Sequence, residues 1–517
     1  MKILPIKIYE HKEILAFLLG GIAVQTLPPF YHWYLLFIAF SGLFYLTETT
    51  QNCKQAFLAG YWFGFSFFAF SLFWINNALL INPLKTGWIV PICFIASGSF
   101  FGLFIGFPTL LSRLAGSSFA RYLALAGWIV IFEWIRSWLF TGFPWNLLGT
   151  TLAFNLNLIQ FSSVVGTYGL SFLMILAASS PALYRPSFSL KQKIGIFCIP
   201  LTIISFLYLY GNYRIAQLSD TQNSPVKIRL VQPNIPQAIK WSADLRNEHF
   251  QKHLDLSKEH LSDKTSMIIW SETASPYPLD LNKEAAQQIA NILPEDTYLT
   301  TGVIRYQDDY YGGWKPYNSS LVVNSKGNIE DFYDKSHLVP FGEYIPFRQW
   351  LPDFIRPVTN IISNLEAGSG PKVIHIESIP PFSIQICYEI IFPHHIMTNK
   401  EKPDWIINLT NDGWYGISSG PHQHLVAAQM RAVEEGVTIV RNAGSGISAI
   451  INRYGKIVQK LDLNTQGVLD ANLPQKLTVD TLYNHLGNIL PLFLAVIAIL
   501  TSAILTYFQI NVEKAEK

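Results

Sequence analysis

The sequence predicts an α-helical polytopic membrane domain of about eight spans, joined to a water-facing α/β domain. Three observations predict this. Hydrophobic residues make up 50% of the 517-residue chain and charged residues only 14%, against about 25% charged in an ordinary soluble protein. Apolar runs approaching the roughly 20 residues needed to cross a bilayer crowd the first half. Residues 211–485 are instead rich in Asp, Glu, Lys and Asn, with short β-branched runs between them. The net charge of +2 is too small to point to nucleic acid. No solenoid repeat or low-complexity tract is present.

In chain order, the expected spans are residues 14–27, 31–46, 56–80, 87–111, 122–140, 164–183, 194–210 and 486–508. The first two are short and are split by Pro28 and Pro29. Lys2, Lys7 and Lys12 ahead of the first run would suit a signal peptide, but the proline pair and the spans that follow argue against cleavage. Lys2, Lys7, Lys12, Lys54, Arg113, Arg121, Arg185, Lys191, Lys193, Lys514 and Lys517 fall on one side if the spans alternate. Lys85 lies on the other. The positive-inside rule then places both termini in the cytoplasm and the polar segment outside, in the periplasm of a cell whose inner membrane holds the protein. The expected domains are a membrane domain at 1–211, a water-facing α/β domain at 220–478 and a final span at 486–508.

Within the polar segment, strands are expected at 226–232, 267–270, 298–303, 320–324, 383–387, 405–409, 438–441 and 447–451. Amphipathic helices are expected at 243–261 and 423–435. Strands alternating with helices predict an α/β domain with a central sheet. About 265 residues are enough for a full core.

Three side chains stand out there. Of the four cysteines, Cys53, Cys93 and Cys198 lie in or beside apolar stretches, and only Cys387 lies in the polar segment, without a local disulfide partner. It ends the run Phe382–Ile386, and a nucleophile at a strand end on a sharp turn is exposed on a rigid backbone. A buried structural cysteine is the plainer alternative. Glu272 follows Met267-Ile268-Ile269-Trp270-Ser271, again at a strand end, where a solvated carboxylate is the ordinary case. Lys335 lies in a turn-rich, apolar stretch, Tyr333-Asp334-Lys335-Ser336-His337-Leu338-Val339-Pro340-Phe341-Gly342-Glu343, that suits a partly buried lysine better than a surface one.

Taken together, W-S-E, Y-D-K-x-H-L-V-P-F-G-E and I-C-Y-E occur in the order that is the pattern of the nitrilase superfamily, over about residues 226–473. That resemblance implies a nitrilase-like α-β-β-α sandwich with a Glu272-Lys335-Cys387 triad. Membrane spans on both sides narrow it: the chain resembles the apolipoprotein N-acyltransferase family. The stretch from Glu133 through Arg136 to Trp145 resembles that family's membrane motif, and Asn411-Asp412-Gly413-Trp414-Tyr415-Gly416 followed by Gly420-Pro421-His422-Gln423-His424 is similar too. The stretch 483–488 lacks an arginine expected near that junction. The family implies transfer of the sn-1 acyl chain of a phospholipid, phosphatidylethanolamine being the expected donor, through a Cys387 thioester. The acceptor is the α-amine of a diacylglyceryl-cysteine at a lipoprotein N-terminus.

A free cysteine has a pKa near 8.5, so a base must take its proton. The resemblance gives that role to Glu272 and oxyanion stabilisation to Lys335, with the backbone N–H of Tyr388. It further implies that Glu343 and Glu389 position Lys335 and the turn, that Tyr388 and Trp241 shape the pocket, and that Asn318 supplies a hydrogen bond. Trp414 is expected in an arm at the membrane surface, His424 behind the site, and an arm over the site at 346–362. Core packing is the competing reading for Trp241 and Trp414. Glu133 and Arg136, one helical turn apart, can pair, which lowers the cost of burying both. They are expected to anchor the loop to Trp145 or to contact a headgroup. No cofactor is expected, and no metal: His422, His424, His394 and His395 come without a cysteine pair or a His-Glu-x-x-His helix. Two rivals remain. A membrane-anchored nitrilase-type amidase would use the same triad with water as acceptor, although one span would suffice to anchor it. A transporter or scaffold with an inactive domain would be expected to show internally repeated halves, which are absent.

Overall fold

The computed structural model describes residues 11–217, 223–308, 313–350, 357, 364–395, 401–475 and 480–515. The chain divides into two compact units. One comprises Met1–Asn76, Trp88–Leu218 and Thr481–Lys517, and the other Asn77–Gly87 and Ser219–Asp480.

The first unit is helical. A helix coincides with each of the eight expected spans, but Lys12–Val24 and Leu35–Glu48 have only 13 and 14 residues. At 1.5 Å per residue each is about 20 Å long, short of the roughly 30 Å hydrocarbon core. Among the described residues, five helices are long and apolar enough to cross alone. They are Pro83–Arg113, Ser118–Ile135, Ser162–Leu183, Leu190–Gln217 and Ile489–Ala515. Cys53–Ser71 with Phe73–Leu80, bent by 49°, makes a sixth. Length and composition therefore give five or six crossings in place of about eight. Helices Cys53–Ser71 and Val90–Arg113 approach closely because glycines face each other: a Cβ on Gly64 would meet the Gly102 backbone at 3.0 Å. Small residues at such a seam let helix backbones touch where no hydrophobic effect drives association.

The second unit holds two six-stranded sheets. The strands of the first are β1 Asn223–Gln232, β2 Met267–Ile269, β3 Tyr298–Asp308, β4 Trp314–Val323, β5 Ile329–Asp334 and, from the end of the domain, β12 Gly467–Pro474, in the order β12-β1-β2-β3-β4-β5. The second comprises β6 Val373–Ile376, β7 Ile379–Ile386, β8 Trp405–Leu409, β9 Thr438–Asn442, β10 Ser448–Ile451 and β11 Ile457–Leu461, in sequence order. Both repeat one pairing pattern: an antiparallel outer strand, three parallel strands, then two antiparallel ones. Apolar faces of both sheets meet in one core, with Leu230 and Ile269 from the first and Ile384, Ile407 and Val440 from the second. Helices Arg246–Lys258 and Lys283–Ala290 cover the outer face of the first sheet. Ser419–Glu435 packs on the second. This is the α-β-β-α sandwich that the resemblance implied, with two sheets where the strand pattern alone suggested a central sheet. The unforeseen strands β5 and β11 are sheet edges that bury little and carry Glu330, Asp331 and Lys460, so their apolar pattern is weak. Strand β6 and strand β12 were also unforeseen, as was helix Lys283–Ala290.

Parallel strands bring their C-terminal ends together, and the chemistry-bearing residues follow those ends: Glu272 after β2, Cys387 after β7, Asn411 and Asp412 after β8. Asn442 at the end of β9 donates to Val231 O at 3.1 Å and Ile269 O at 2.5 Å, which ties the strand ends of the two sheets together. Gly302 in β3 lies against the backbone of the Glu272 turn, where a Cβ would overlap Thr273 N and Glu272 Cα. Gly302→Ala is therefore expected to destabilise the protein by about 1–3 kcal/mol. Thermal unfolding of the full-length protein checks this, and an unchanged midpoint would contradict the close approach.

Candidate active site

Strand β7 ends at Ile386, and Cys387 turns the chain with φ 52° into the short helix Cys387–Ile391. A left-handed conformation costs a non-glycine residue energy, which surrounding contacts must supply. Glu389 supplies them. Its Oε2 accepts from Ile386 N–H at 2.7 Å, and its Oε1 accepts from Tyr333 OH, Ser336 N–H, Ser336 OH and His337 N–H at 2.7–3.1 Å. One carboxylate thus pins the cysteine turn to the segment that carries Lys335. Five donors act against the burial that pushes its pKa up.

Lys335 is buried. Its Nζ lies 3.0 Å from Glu343 Oε1, 2.9 Å from Glu343 Oε2 and 3.8 Å from Glu272 Oε1. Asn318 Nδ2 donates to both Glu272 Oε1 and Glu343 Oε1, each at 2.8 Å. Glu272 Oε2 accepts from Asn411 N–H at 2.8 Å. Burial pulls the Lys335 ammonium down, but Glu343 and Glu272, with Cys387, outweigh it and hold it above its ordinary value. It stays charged. Burial pushes the Cys387 thiol up to about 12, Glu272 adds to this, and Lys335 opposes it. The resting sulfur therefore keeps its proton, and any attack by it would need a base.

Several residues here were not singled out from the sequence. Asp412, fully buried, lies 2.7 Å from Arg441 Nη2 and 2.9 Å from His424 Nδ1. Burial pushes its carboxyl up, but Arg441 and His424 outweigh that and hold it at about 2. His424 Nε2 is 3.1 Å from Cys387 O, so it carries the proton that this carbonyl accepts. Tyr415 OH lies 3.8 Å from Cys387 Sγ. Lys240 Nζ donates to Glu272 O and Thr273 Oγ1, both at 3.1 Å, and burial lowers its pKa to about 8. Arg441 left a sign in the sequence, a charge inside the apolar run of β9. Lys240 left none beyond its place next to Trp241.

The other expected residues fall as follows. Tyr388 is buried, its ring against His337 and Phe392 at 5.6 and 5.0 Å. The half-buried Trp241 has its ring 5.8 Å from Lys240 Nζ. Trp414 is half-buried on the turn Asp412–Tyr415. Of the arm at 346–362, residues 351–356 and 358–362 lie outside the described residues; Phe347 and Trp350 stack with ring centres 5.5 Å apart. Lys2, Lys7 and Lys517 also lie outside them.

In the helical unit, Arg136 Nη1 donates to Phe143 O at 2.6 Å and Trp145 O at 2.7 Å, and its guanidinium sits 5.0 Å over the Phe68 ring. Glu133 Oε1 accepts from Leu148 N–H at 2.9 Å. Trp145 stacks on Phe143 and contacts Trp74. The two charges thus brace the loop between helix Ser118–Ile135 and the short helix Leu148–Leu152.

Residues 19–180 match the apolipoprotein N-acyltransferase N-terminal domain, and residues 227–482 match carbon-nitrogen hydrolase. An apolipoprotein N-acyltransferase of Rhodopseudomonas palustris is 35% identical over 496 residues, covering 92% of each chain. One of Rickettsia prowazekii is 35% identical over 500 residues, covering 96% of this chain and 98% of its own. This chain belongs to the apolipoprotein N-acyltransferase family. Family and apolar helices together make it a membrane-embedded acyltransferase with a nitrilase-fold domain. Among solved structures, an amidase from Neterenkonia sp. AN1 is similar at 15% identity and a TM-score of 0.36, over 48% of this chain and 93% of its own.

Because Asp412 is held low, its ionisation stabilises the fold above pH about 4, and that contribution is lost as pH falls through about 2. Asp412→Asn leaves Arg441 buried without its carboxylate and should cost about 3–5 kcal/mol at neutral pH. Thermal unfolding of both proteins from pH 7 to 2 is the check: the gap should be widest at neutral pH and shrink in acid. A constant gap would contradict this electrostatic account.

Proposed function

We propose that the protein transfers the sn-1 acyl chain of a phospholipid, with phosphatidylethanolamine as donor, through a Cys387 thioester to the α-amine of an N-terminal diacylglyceryl-cysteine, completing lipoprotein maturation. The observation that carries this reading is the buried cluster in which Lys335 stands between Glu343 and Glu272, beside Cys387, in a chain of the apolipoprotein N-acyltransferase family.

In the first half-reaction Glu272 takes the thiol proton as sulfur attacks the ester carbonyl. Lys335 and the N–H of Tyr388 receive the developing oxyanion. The carbon–oxygen bond breaks, Glu272 returns the proton to the glycerol oxygen, and lysophospholipid leaves. In the second, the lipoprotein amine attacks the thioester. Glu272 takes a proton from nitrogen and passes it to the departing sulfur. Glu343 and Asn318 hold Lys335 and Glu272 in place, and Glu389 holds the turn. Trp241, Tyr388 and Trp414 line the approach, and His424 fixes the Cys387 carbonyl. Glu133 and Arg136 keep the Trp145 loop folded.

The domain limits we adopt are 1–211, 220–478 and 486–508. The basic loops support an inner-membrane orientation with cytoplasmic termini and a periplasmic catalytic domain. Exposed Phe347, Trp350 and Ile417 suit a site whose substrates are lipids.

Intact mass spectrometry of the purified protein with phosphatidylethanolamine tests the reading. A hydroxylamine-labile acyl adduct should form on wild type, be absent from Cys387→Ala, and discharge onto a diacylated lipopeptide. Lys335→Ala should slow its formation by about 100- to 1000-fold. Release of free fatty acid with no adduct and no transfer would favour the amidase-type hydrolase instead.

A further inference from the structure

We propose that the Tyr415 hydroxyl is a catalytic group that donates a hydrogen bond to the Cys387 sulfur as that sulfur leaves the thioester. This rests on the thioester reading above.

The hydroxyl lies 3.8 Å from Sγ, within reach of a hydrogen bond to sulfur. Its position is fixed from several directions. Asn77 Nδ2 and Ser418 OH both donate to Tyr415 O, at 2.6 and 2.7 Å. The ring stands edge-on to His424, 5.7 Å between centres, and His424 in turn holds the Cys387 carbonyl. Thr410 also reaches the sulfur, but its hydroxyl proton is used by Asp412 Oδ1 at 2.9 Å.

In the resting enzyme either partner can donate, S–H to oxygen or O–H to sulfur. That symmetry ends when the thioester breaks. The amine lone pair forms the new carbon–nitrogen bond, and the carbon–sulfur pair stays on sulfur. A thiolate only accepts, so the phenol must donate. Burial, with the charges of Cys387 and Asp412 nearby, holds the phenol well above its ordinary pKa, so it keeps its proton and acts as donor without transferring it. The proton that ends on sulfur is the amine's, carried by Glu272. Since the bond strengthens only as charge develops on sulfur, it speeds departure. In acylation the charge on sulfur is being consumed, so the same bond helps less. Tyr415 is thus a leaving-group donor, complementary to Lys335 at the oxygen.

The test separates the half-reactions. Full-length wild type and Tyr415→Phe are acylated with phosphatidylethanolamine, followed by intact mass, then chased with a diacylated lipopeptide. The ratio of discharge rate to acylation rate should fall about 10- to 100-fold in the variant, the worth of a hydrogen bond to a charged group. Alkylation of Cys387 by iodoacetamide, read on its own peptide because Cys53, Cys93 and Cys198 are also free thiols, should shift its midpoint to higher pH. Enzyme carrying 3-fluorotyrosine at position 415, a stronger donor of nearly the same shape, should shift the midpoint to lower pH and discharge faster. It decides the matter even if Tyr415→Phe folds poorly. An unchanged rate ratio in Tyr415→Phe, or an unshifted midpoint in the fluorotyrosine enzyme, would overturn the inference while leaving the thioester reading intact. Wild type that forms no acyl adduct would overturn both.

Discussion

A primary ammonium buried away from water is expensive unless anions and hydrogen-bond acceptors surround it, and the nitrilase-fold domain is arranged around that constraint at Lys335. Glu343 meets it with both oxygens, and Glu272 stands one step further off. Two carboxylates so close repel, and Asn318 relieves this by donating to each of them. The outcome is a cluster with fixed charge and little freedom to rearrange.

The cluster is assembled from distant parts of the chain, and the two sheets are the reason it closes. Glu272 follows β2 of one sheet and Cys387 follows β7 of the other. Asn442, at the end of β9, bonds back to carbonyls at the ends of β1 and β2. Glu389 works on the same principle at closer range: it spends its carboxylate on the cysteine turn and on residues 333–337 at once. The strained φ of Cys387 is sustained by these bonds and by His424 on its carbonyl.

The helical unit solves a different problem with similar means. Its loop after residue 139 has backbone carbonyls and amides with no helix to satisfy them. Arg136 and Glu133 do so from the adjoining helix, charge to carbonyl and carboxylate to amide. In an apolar surrounding, unsatisfied backbone is the larger cost, which gives two buried charges at the end of a hydrophobic helix a structural reason to exist.

The sequence by itself determined the division into apolar helices and a polar α/β domain, because burial in lipid and burial in a sheet impose different periodicities and charge contents. It also set Glu272, Lys335, Cys387, Glu343 and Glu389 in short motifs at strand ends, which survive as local patterns, whereas Asn318 came only from the family resemblance. Edge strands β5 and β11 escaped it, because a strand that buries little needs little apolar pattern. Lys240, Asp412, Arg441 and Tyr415 became members of the site only through tertiary structure. Arg441 left only a charge inside an apolar run, and Asp412 and Tyr415 only their places in a family-like motif; each acquires its role from a partner tens of residues away, at distances that only the packing of two sheets sets.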